Sequence, residues 1–175
     1  PCSKIALAVG SRPRRIPIPN MDAPGVLELR TYQDSQAIKA GFNAASSVLV
    51  IGGGFIGLEI AATAAVLGKQ VTVLEAEGRL MARAVSPAVS AYFFGYLTAL
   101  GADIRLNARV SGIRLSGGLA SGADLADGSV IDADCVISGT GVLPCTELAE
   151  AAGLDIENGI AVGPTMLSSV PEVAS

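Results

Sequence analysis

The chain has no histidine and no tryptophan. Without an imidazole, Ser-His-Asp and Cys-His catalysis are excluded, as are most zinc sites, and no metal site is expected. Cysteine is scarce: Cys2, Cys135 and Cys145 are odd in number and lack C-x-x-C spacing. They read as buried or incidental thiols of a protein in a reducing compartment, with the cytoplasm as its expected location. Charged residues make up only 16% and the net charge is −4. That balance gives no reason to expect a nucleic-acid partner. The basic cluster Arg12, Arg14 and Arg15 reads as a solvated linker.

Long clean hydrophobic runs are also missing. Ala40–Leu58 and Ala84–Ala102 carry no charge, but Gly52-Gly53-Gly54 breaks the first, and Pro87 and Gly95 break the second. Both read as buried core, so no membrane association is expected. Within the second run, the helix at Tyr92–Leu100 is read as core rather than as a partner surface. No signal peptide is visible, and the sequence opens on Pro1, which suggests a piece of something longer.

Aliphatic residues, by contrast, are plentiful: 50% of the chain is hydrophobic and the mean hydropathy is +0.53. At 175 residues this allows one sizeable core with flanking pieces, and the excess suits strands buried on both faces, as in parallel sheets. Ile5–Val9 reads as a short strand ending at Gly10. Pro13, Pro17, Pro19 and Pro24 then mark an extended surface connection. Thr31 is placed to N-cap a helix reaching Phe42, and a domain boundary is expected near Asn43–Ser47. A strand at Val48–Ile51, a helix at Phe55–Leu67 stopped by Gly68, and a strand at Val71–Leu74 follow. Ser86 and Pro87 open a second helix that runs to Leu100, before a strand at Asp103–Leu106.

From Val110 the texture shifts to short strands and turns, with Asp127-Gly128 as a hairpin signal. Cys135–Ser138 is another buried strand, and a short helix with a strand or hairpin closes the chain. The expected fold is α/β: a Rossmann-like dinucleotide-binding domain, a parallel sheet with helices on its faces, and an inserted small antiparallel β-meander. Ile5–Pro13 and Val136–Pro144 also echo each other, each an apolar strand followed by Gly-x-x-Pro. The echo is either an internal repeat or two unrelated turns.

The stretch from Ser46 to Ala76 carries the chemistry. A strand, then Gly-x-Gly-x-x-Gly, then a helix is what binding a dinucleotide pyrophosphate requires. Gly52 permits the tight turn, Gly54 lets backbone approach phosphate without a Cβ in the way, and Gly57 lets helix pack on strand. The N–H groups at the helix start and the helix dipole then meet the anion. Glu75 ends the next strand 23 residues after Gly52, near the roughly 20-residue offset of a ribose-binding acid. A carboxylate there accepts from ribose hydroxyls and repels a 2′-phosphate, so NADH is expected over NADPH. Arg79 and Arg83 follow closely enough to complicate that preference. Glu59 has two open readings: an acid favoured by the helix dipole, or a group of the site.

Several strings resemble a known family. "VLVIGGGFIGLEIAA", "VTVLEAEGRLMAR" followed by "SPAVS", and "GTGVLP" before a helix resemble the NADH-dependent, FAD-containing ferredoxin reductases of the putidaredoxin and rhodocoxin reductase type. These belong to the wider pyridine nucleotide–disulfide oxidoreductase superfamily. The resemblance implies that Gly52, Gly53, Gly54, Phe55, Ile56 and Gly57 hold NADH, with Glu75 on its ribose and Arg83 near its adenosine. It implies a place near the nicotinamide for Glu59, paired with a lysine of an FAD domain that this chain lacks, and for the loop of Gly139, Gly141 and Val142. "IALAVGSRP" resembles the strand that leaves the FAD domain, with Val9 where threonine is usual, and Cys145 stands where asparagine is common.

On this resemblance, residues 1–45 are a remnant of the FAD domain with its linker helix, 46–165 the NADH-binding domain, and 166–175 the lead back. The parent would pass hydride from NADH to FAD and then single electrons to an iron–sulfur ferredoxin serving a P450 or dioxygenase. FAD belongs to the parent, and the chain alone is expected to be inactive. A related NADH oxidase or disulfide reductase, or a stand-alone NAD-binding module, are the alternatives.

Overall fold

The computed structural model describes residues 3–175, so Cys2 lies outside the described residues. The apolar stretch near the N-terminus forms only a two-residue strand, Ile5–Ala6 (β1), shorter than the expected Ile5–Val9. It pairs in parallel with the equally short Val173–Ala174, and Leu7 N still donates to Ala174 O at 2.8 Å before the chain leaves the pairing. Gly10, at φ 69°, then turns the backbone into Ser11–Pro13 (β2). These segments belong to a small compact unit whose described part is residues 3–14 with Val142–Ser175.

The larger unit, Arg15–Gly141, is built on a five-stranded parallel sheet. In chain order its elements are Val26–Leu27 (β3), the helix Tyr32–Ala44 (α1), Ser47–Ile51 (β4), the helix Phe55–Val66 (α2), Gln70–Leu74 (β5), the helix Pro87–Ala99 (α3) and Asp103–Arg105 (β6). An antiparallel meander follows, Val110–Ser116 (β7), Leu119–Leu125 (β8) and Val130–Asp132 (β9), before Cys135–Ser138 (β10) returns to the sheet. The order across the sheet is β3-β10-β4-β5-β6. Strand order therefore reverses at β4: β5 and β6 extend to one side of it, β10 and β3 to the other. A crevice at such a switch point is where open α/β sheets bind ligands.

Alternation along the strands explains how both faces are filled. Val48, Val50, Val71, Val73, Cys135 and Ile137 point to one side, into a core with Ile38 and Phe42 of α1, Leu58, Ala61 and Ala64 of α2, and Leu97 of α3. Leu49, Ile51, Leu74 and Val136 point to the other, where Met21 and the meander residues Ile113, Ala123, Leu125 and Ile131 meet them. Burial on both faces is why these strands read as continuous apolar runs. The α/β fold with its inserted meander is as expected, and the three longer helices share one face.

Local signals hold where a backbone rule underlies them. Thr31 and Asp34 form a reciprocal capping box at the start of α1, and Ser86 caps α3 with Pro87 in the first turn. Gly68, at φ 76°, ends α2 and allows Lys69 N to return to Ala64 O at 3.0 Å. The β7–β8 hairpin turns on Gly117-Gly118, both at positive φ, and Asp127-Gly128 lies in the β8–β9 connection.

Of the prolines before Gly25, Pro13 ends β2, and Pro17, Pro19 and Pro24 lie in the connection that leads to β3, a strand too short to show any period. The expectation that the Tyr92–Leu100 helix is core is corrected: only one flank of it is. Ser90 and Leu97 are the buried residues of α3, whereas Tyr92 is 67% exposed and Tyr96 49%. The helix is apolar all round, but it packs at the margin of the sheet, against β6, so only one flank finds a partner.

In the small unit, β2 pairs antiparallel with Val142–Pro144 (β11): Pro13 faces Val142, Arg12 faces Leu143 and Ser11 faces Pro144. The two echoing Gly-x-x-Pro segments are thus partners in one ribbon, each entered through a glycine of positive φ, Gly10 and Gly141. A short helix, Glu147–Ala151 (α4), follows, and the chain ends in Val173–Ala174 (β12) beside β1. Arg12 donates to Glu147 Oε1 in this unit, and Cys145, two residues before Glu147, is half-buried.

Candidate functional site

The site is built where β4 meets α2. Gly52 has φ 105°, and its N–H donates to Leu74 O at 2.8 Å, so the turn is tied to the neighbouring strand as it leaves β4. A Cβ on Gly52 would lie 2.4 Å from Gly139 O, and one on Gly57 would lie 2.2 Å from Gly52 O and 3.3 Å from Val50 Cγ1. Gly139, whose N–H donates to Ile51 O at 2.8 Å, lies against Gly57: a Cβ there would meet Gly57 Cα at 3.2 Å. Three glycines from three segments thus touch through bare backbone, which brings α2 down onto β4 and β10.

Gly54 differs. It is the N-cap of α2 with extended backbone, φ −84° and ψ 179°, and a Cβ built on it meets nothing within 4 Å. The protein itself therefore does not need glycine there. No side chain caps α2, so its first N–H groups and the positive end of its dipole face an opening without side-chain cover. Phe55 and Ile56, 54% and 40% exposed, flank that opening with apolar surface.

Glu75 leaves the end of β5 and folds its carboxylate back over the loop. Oε2 accepts from Gly53 N at 2.7 Å and Oε1 from Glu77 N at 2.8 Å. One lone pair on each oxygen remains for a further donor. The arrangement provides an anion site at a helix start and, beside it, a fixed acceptor for hydroxyl groups. This donor and acceptor set fits the pyrophosphate and ribose of a dinucleotide.

The remaining residues fall in different places. Glu59 is exposed on α2 beyond its first turn, where its carboxylate forms no ion pair among the described residues. Arg83 is exposed on the loop after β5, and Gly141, at φ 102°, ends the larger unit. Val142, 47% exposed, opens β11 in the small unit. Arg79, expected to bear on the cofactor preference, is engaged within its own loop. Its guanidinium donates to Val85 O, Ala82 O and Ser90 Oγ and is taken up in the loop. Leu80 and Met81, part of the string that carries the family resemblance, form the wall beyond Gly53. Met81 N donates to Gly53 O at 2.9 Å from a backbone at φ 49°.

The model of the pyridine nucleotide-disulphide oxidoreductase family matches residues 1–173. The chain belongs to that family. Its members are NAD(H)- and FAD-dependent oxidoreductases. The chain is 44% identical over 158 residues to rhodocoxin reductase of Rhodococcus erythropolis, covering 90% of this chain and 37% of that protein. Its structure is similar to that of the ferredoxin reductase for the CYP199A2 system of Rhodopseudomonas palustris, with a TM-score of 0.94 and 39% identity, covering 98% of this chain and 43% of the other. It is also similar to the reductase in the covalent putidaredoxin reductase–putidaredoxin complex, with a TM-score of 0.91 and 37% identity, covering 98% of this chain and 42% of that one. The chain therefore spans about two fifths of the length of these relatives. Among the described residues, no helix of this family member is long and apolar enough to cross a membrane, and no cluster of acidic, cysteine or histidine side chains is placed to hold a metal ion.

Proposed function

We propose that this chain is the NADH-binding part of a flavoprotein ferredoxin reductase. The observation that carries the reading is the uncapped start of α2 at Gly54, open to the outside, with the Glu75 carboxylate fixed 2.7 Å from Gly53 N beside it. When both cofactors are bound, the nicotinamide supplies a hydride and the flavin of the longer protein releases its electrons singly to an iron–sulfur partner. The task of this chain's residues is to bind and orient. Gly52, Gly53 and Gly54 offer backbone to the pyrophosphate, and Gly57 and Gly139 keep the helix close enough to do so. Phe55 and Ile56 cover the cofactor's apolar side. Glu75 receives the ribose hydroxyls and disfavours a 2′-phosphate, which makes NADH the preferred donor.

Arg83 is assigned to the adenosine. Glu59, Gly139 and Gly141 are assigned to the nicotinamide end, Glu59 through a lysine outside this chain. Residues 46–165 form the NADH-binding domain on this reading, with 1–45 and 166–175 leading to and from the flavin domain. A ferredoxin is the acceptor and the cytoplasm the location. The reading is tested with the full-length flavoprotein under anaerobic NADH. Bleaching of the flavin by NADH, followed by reoxidation with an added ferredoxin, is expected. A full-length product that carries no flavin, or flavin that NADH leaves oxidised, overturns it.

A further inference from the structure

Arg79 stands outside the residues assigned above, and its surroundings are unusual for an arginine on a loop. Nη1 donates to Val85 O and to Ser90 Oγ, each at 2.9 Å, and Nη2 donates to Ala82 O. Ser90, only 3% exposed, extends the contact by donating to Leu80 O at 2.6 Å. The acceptors are all neutral. Among the described residues no carboxylate lies within ion-pair distance of Arg79. A partly buried guanidinium without a counter-ion is costly unless something else benefits from its charge.

The loop that Arg79 ties together is the wall of the glycine turn. Leu80 is 1% exposed, and its Cδ2 lies 2.7 Å from where a Gly53 Cβ would stand. Met81 adopts φ 49°, a conformation a methionine does not choose unaided, and from it donates to Gly53 O at 2.9 Å. Met81 O in turn accepts from Ala84 N and Val85 N, at 2.9 and 3.2 Å. Direct contacts therefore run from Ser90 on α3 through Arg79 to Leu80 and Met81, then to Gly53 and the Glu75 carboxylate.

We propose that Arg79 is a positioning residue for the phosphate and adenosine half of the bound dinucleotide: it holds loop 79–85 against Gly53 and keeps an uncompensated positive charge beside the anion site. The inference rests on the dinucleotide reading above. It concerns a residue that acts through the loop, so shape and charge separate experimentally. Removing Ser90 Oγ loosens the loop and leaves the charge, whereas replacing Arg79 by methionine removes both.

The test is calorimetric titration of the full chain with ADP-ribose at low and at moderate salt. R79M is expected to weaken ADP-ribose binding about tenfold, the usual scale for charge-assisted hydrogen bonds, and to flatten its salt dependence. S90A is expected to weaken it several-fold with the wild-type salt dependence, a difference that loss of scaffolding alone would not produce. ADP-ribose affinity within twofold of wild type in both folded variants overturns the inference, and an unchanged salt dependence in R79M overturns its charge part. If R79M does not fold, S90A decides alone, and wild-type affinity in S90A overturns the role. Wild-type protein that does not bind ADP-ribose overturns the dinucleotide reading itself, and this inference with it.

Discussion

The Glu75 carboxylate accepts the Gly53 N–H at 2.7 Å while its second oxygen accepts the Glu77 N–H. Both oxygens thus already serve backbone donors, which fixes the acid rigidly over the glycine turn. Replacing Glu75 with glutamine forces an amide NH2 against one of these N–H groups, so the near-isosteric change should cost almost as much as alanine. Both variants are expected to lose about tenfold in NADH affinity and to discriminate less against NADPH. Parallel titrations with the two nucleotides measure this. A glutamine variant with wild-type NADH affinity would remove the carboxylate from the site.

Gly52 and Gly54 belong to one motif, yet the structure separates their reasons. Gly52 combines φ 105° with a backbone neighbour 2.4 Å from any Cβ, whereas Gly54 has extended backbone and open space. Alanine at Gly52 should therefore destabilise the fold by roughly 2 kcal/mol or more and lower the melting temperature. Valine at Gly54 should lower melting less than alanine at Gly52, by no more than a weaker N-cap, and abolish NADH binding, because its side chain would occupy the ligand's place. Thermal melts paired with NADH titrations check both outcomes. Retained NADH affinity in Gly54→Val would reduce the motif to a structural turn.

This contrast also shows which features were legible in the sequence. Gly52, Gly68 and the caps at Thr31 and Ser86 answer to local backbone geometry, and Gly57 to a close approach within one strand–turn–helix unit, so their spacing carries the structure with it. The parallel sheet was legible because strands buried on both faces leave unbroken apolar runs such as Val48–Ile51. Arg79 was not, since an arginine near a binding loop looks the same whether it meets a phosphate or three neutral acceptors. Nor does anything local mark the left-handed backbone of Met81, which tertiary contact with Gly53 imposes. The exposure of Tyr92 and Tyr96 is not legible either, because a helix that is apolar all round hides which flank has a neighbour. The echo of Gly10–Pro13 and Gly141–Pro144 was visible, but pairing across more than a hundred residues is settled only by the fold.

Cys135 is buried in the sheet, and burial, with a smaller contribution from the charge of Asp134, pushes its thiol up to about 11. At pH 8 almost none of it is the reactive thiolate. Native protein treated with a thiol reagent should therefore label Cys145, which is half-buried, well before Cys135. Peptide mapping by mass spectrometry, with and without denaturant, resolves the two. Rapid native labelling of Cys135 would mean that β10 opens far more easily than its position in the sheet implies.

Asp134 anchors the start of the central strand from β10's side. Its Oδ2 accepts from Ser46 N, Ser47 N and Ser47 Oγ, each at 2.9 Å, and Ser47 Oγ accepts from Asp134 N at 3.0 Å. These donors, the Ser47 N–H foremost, hold its carboxyl below the ordinary aspartate value of 3.8. A carboxyl whose value is depressed on folding stabilises the native state while it is ionised. Its contribution is therefore complete above 3.8 and is lost as pH falls through the lower native value. Asp134→Ala should melt below wild type at neutral pH, and the gap between the two should close on acidification through that window. Melting curves from neutral to strongly acidic pH measure the gap, and one that stays constant throughout would show that the ionised carboxylate contributes nothing to the joint between β10 and β4.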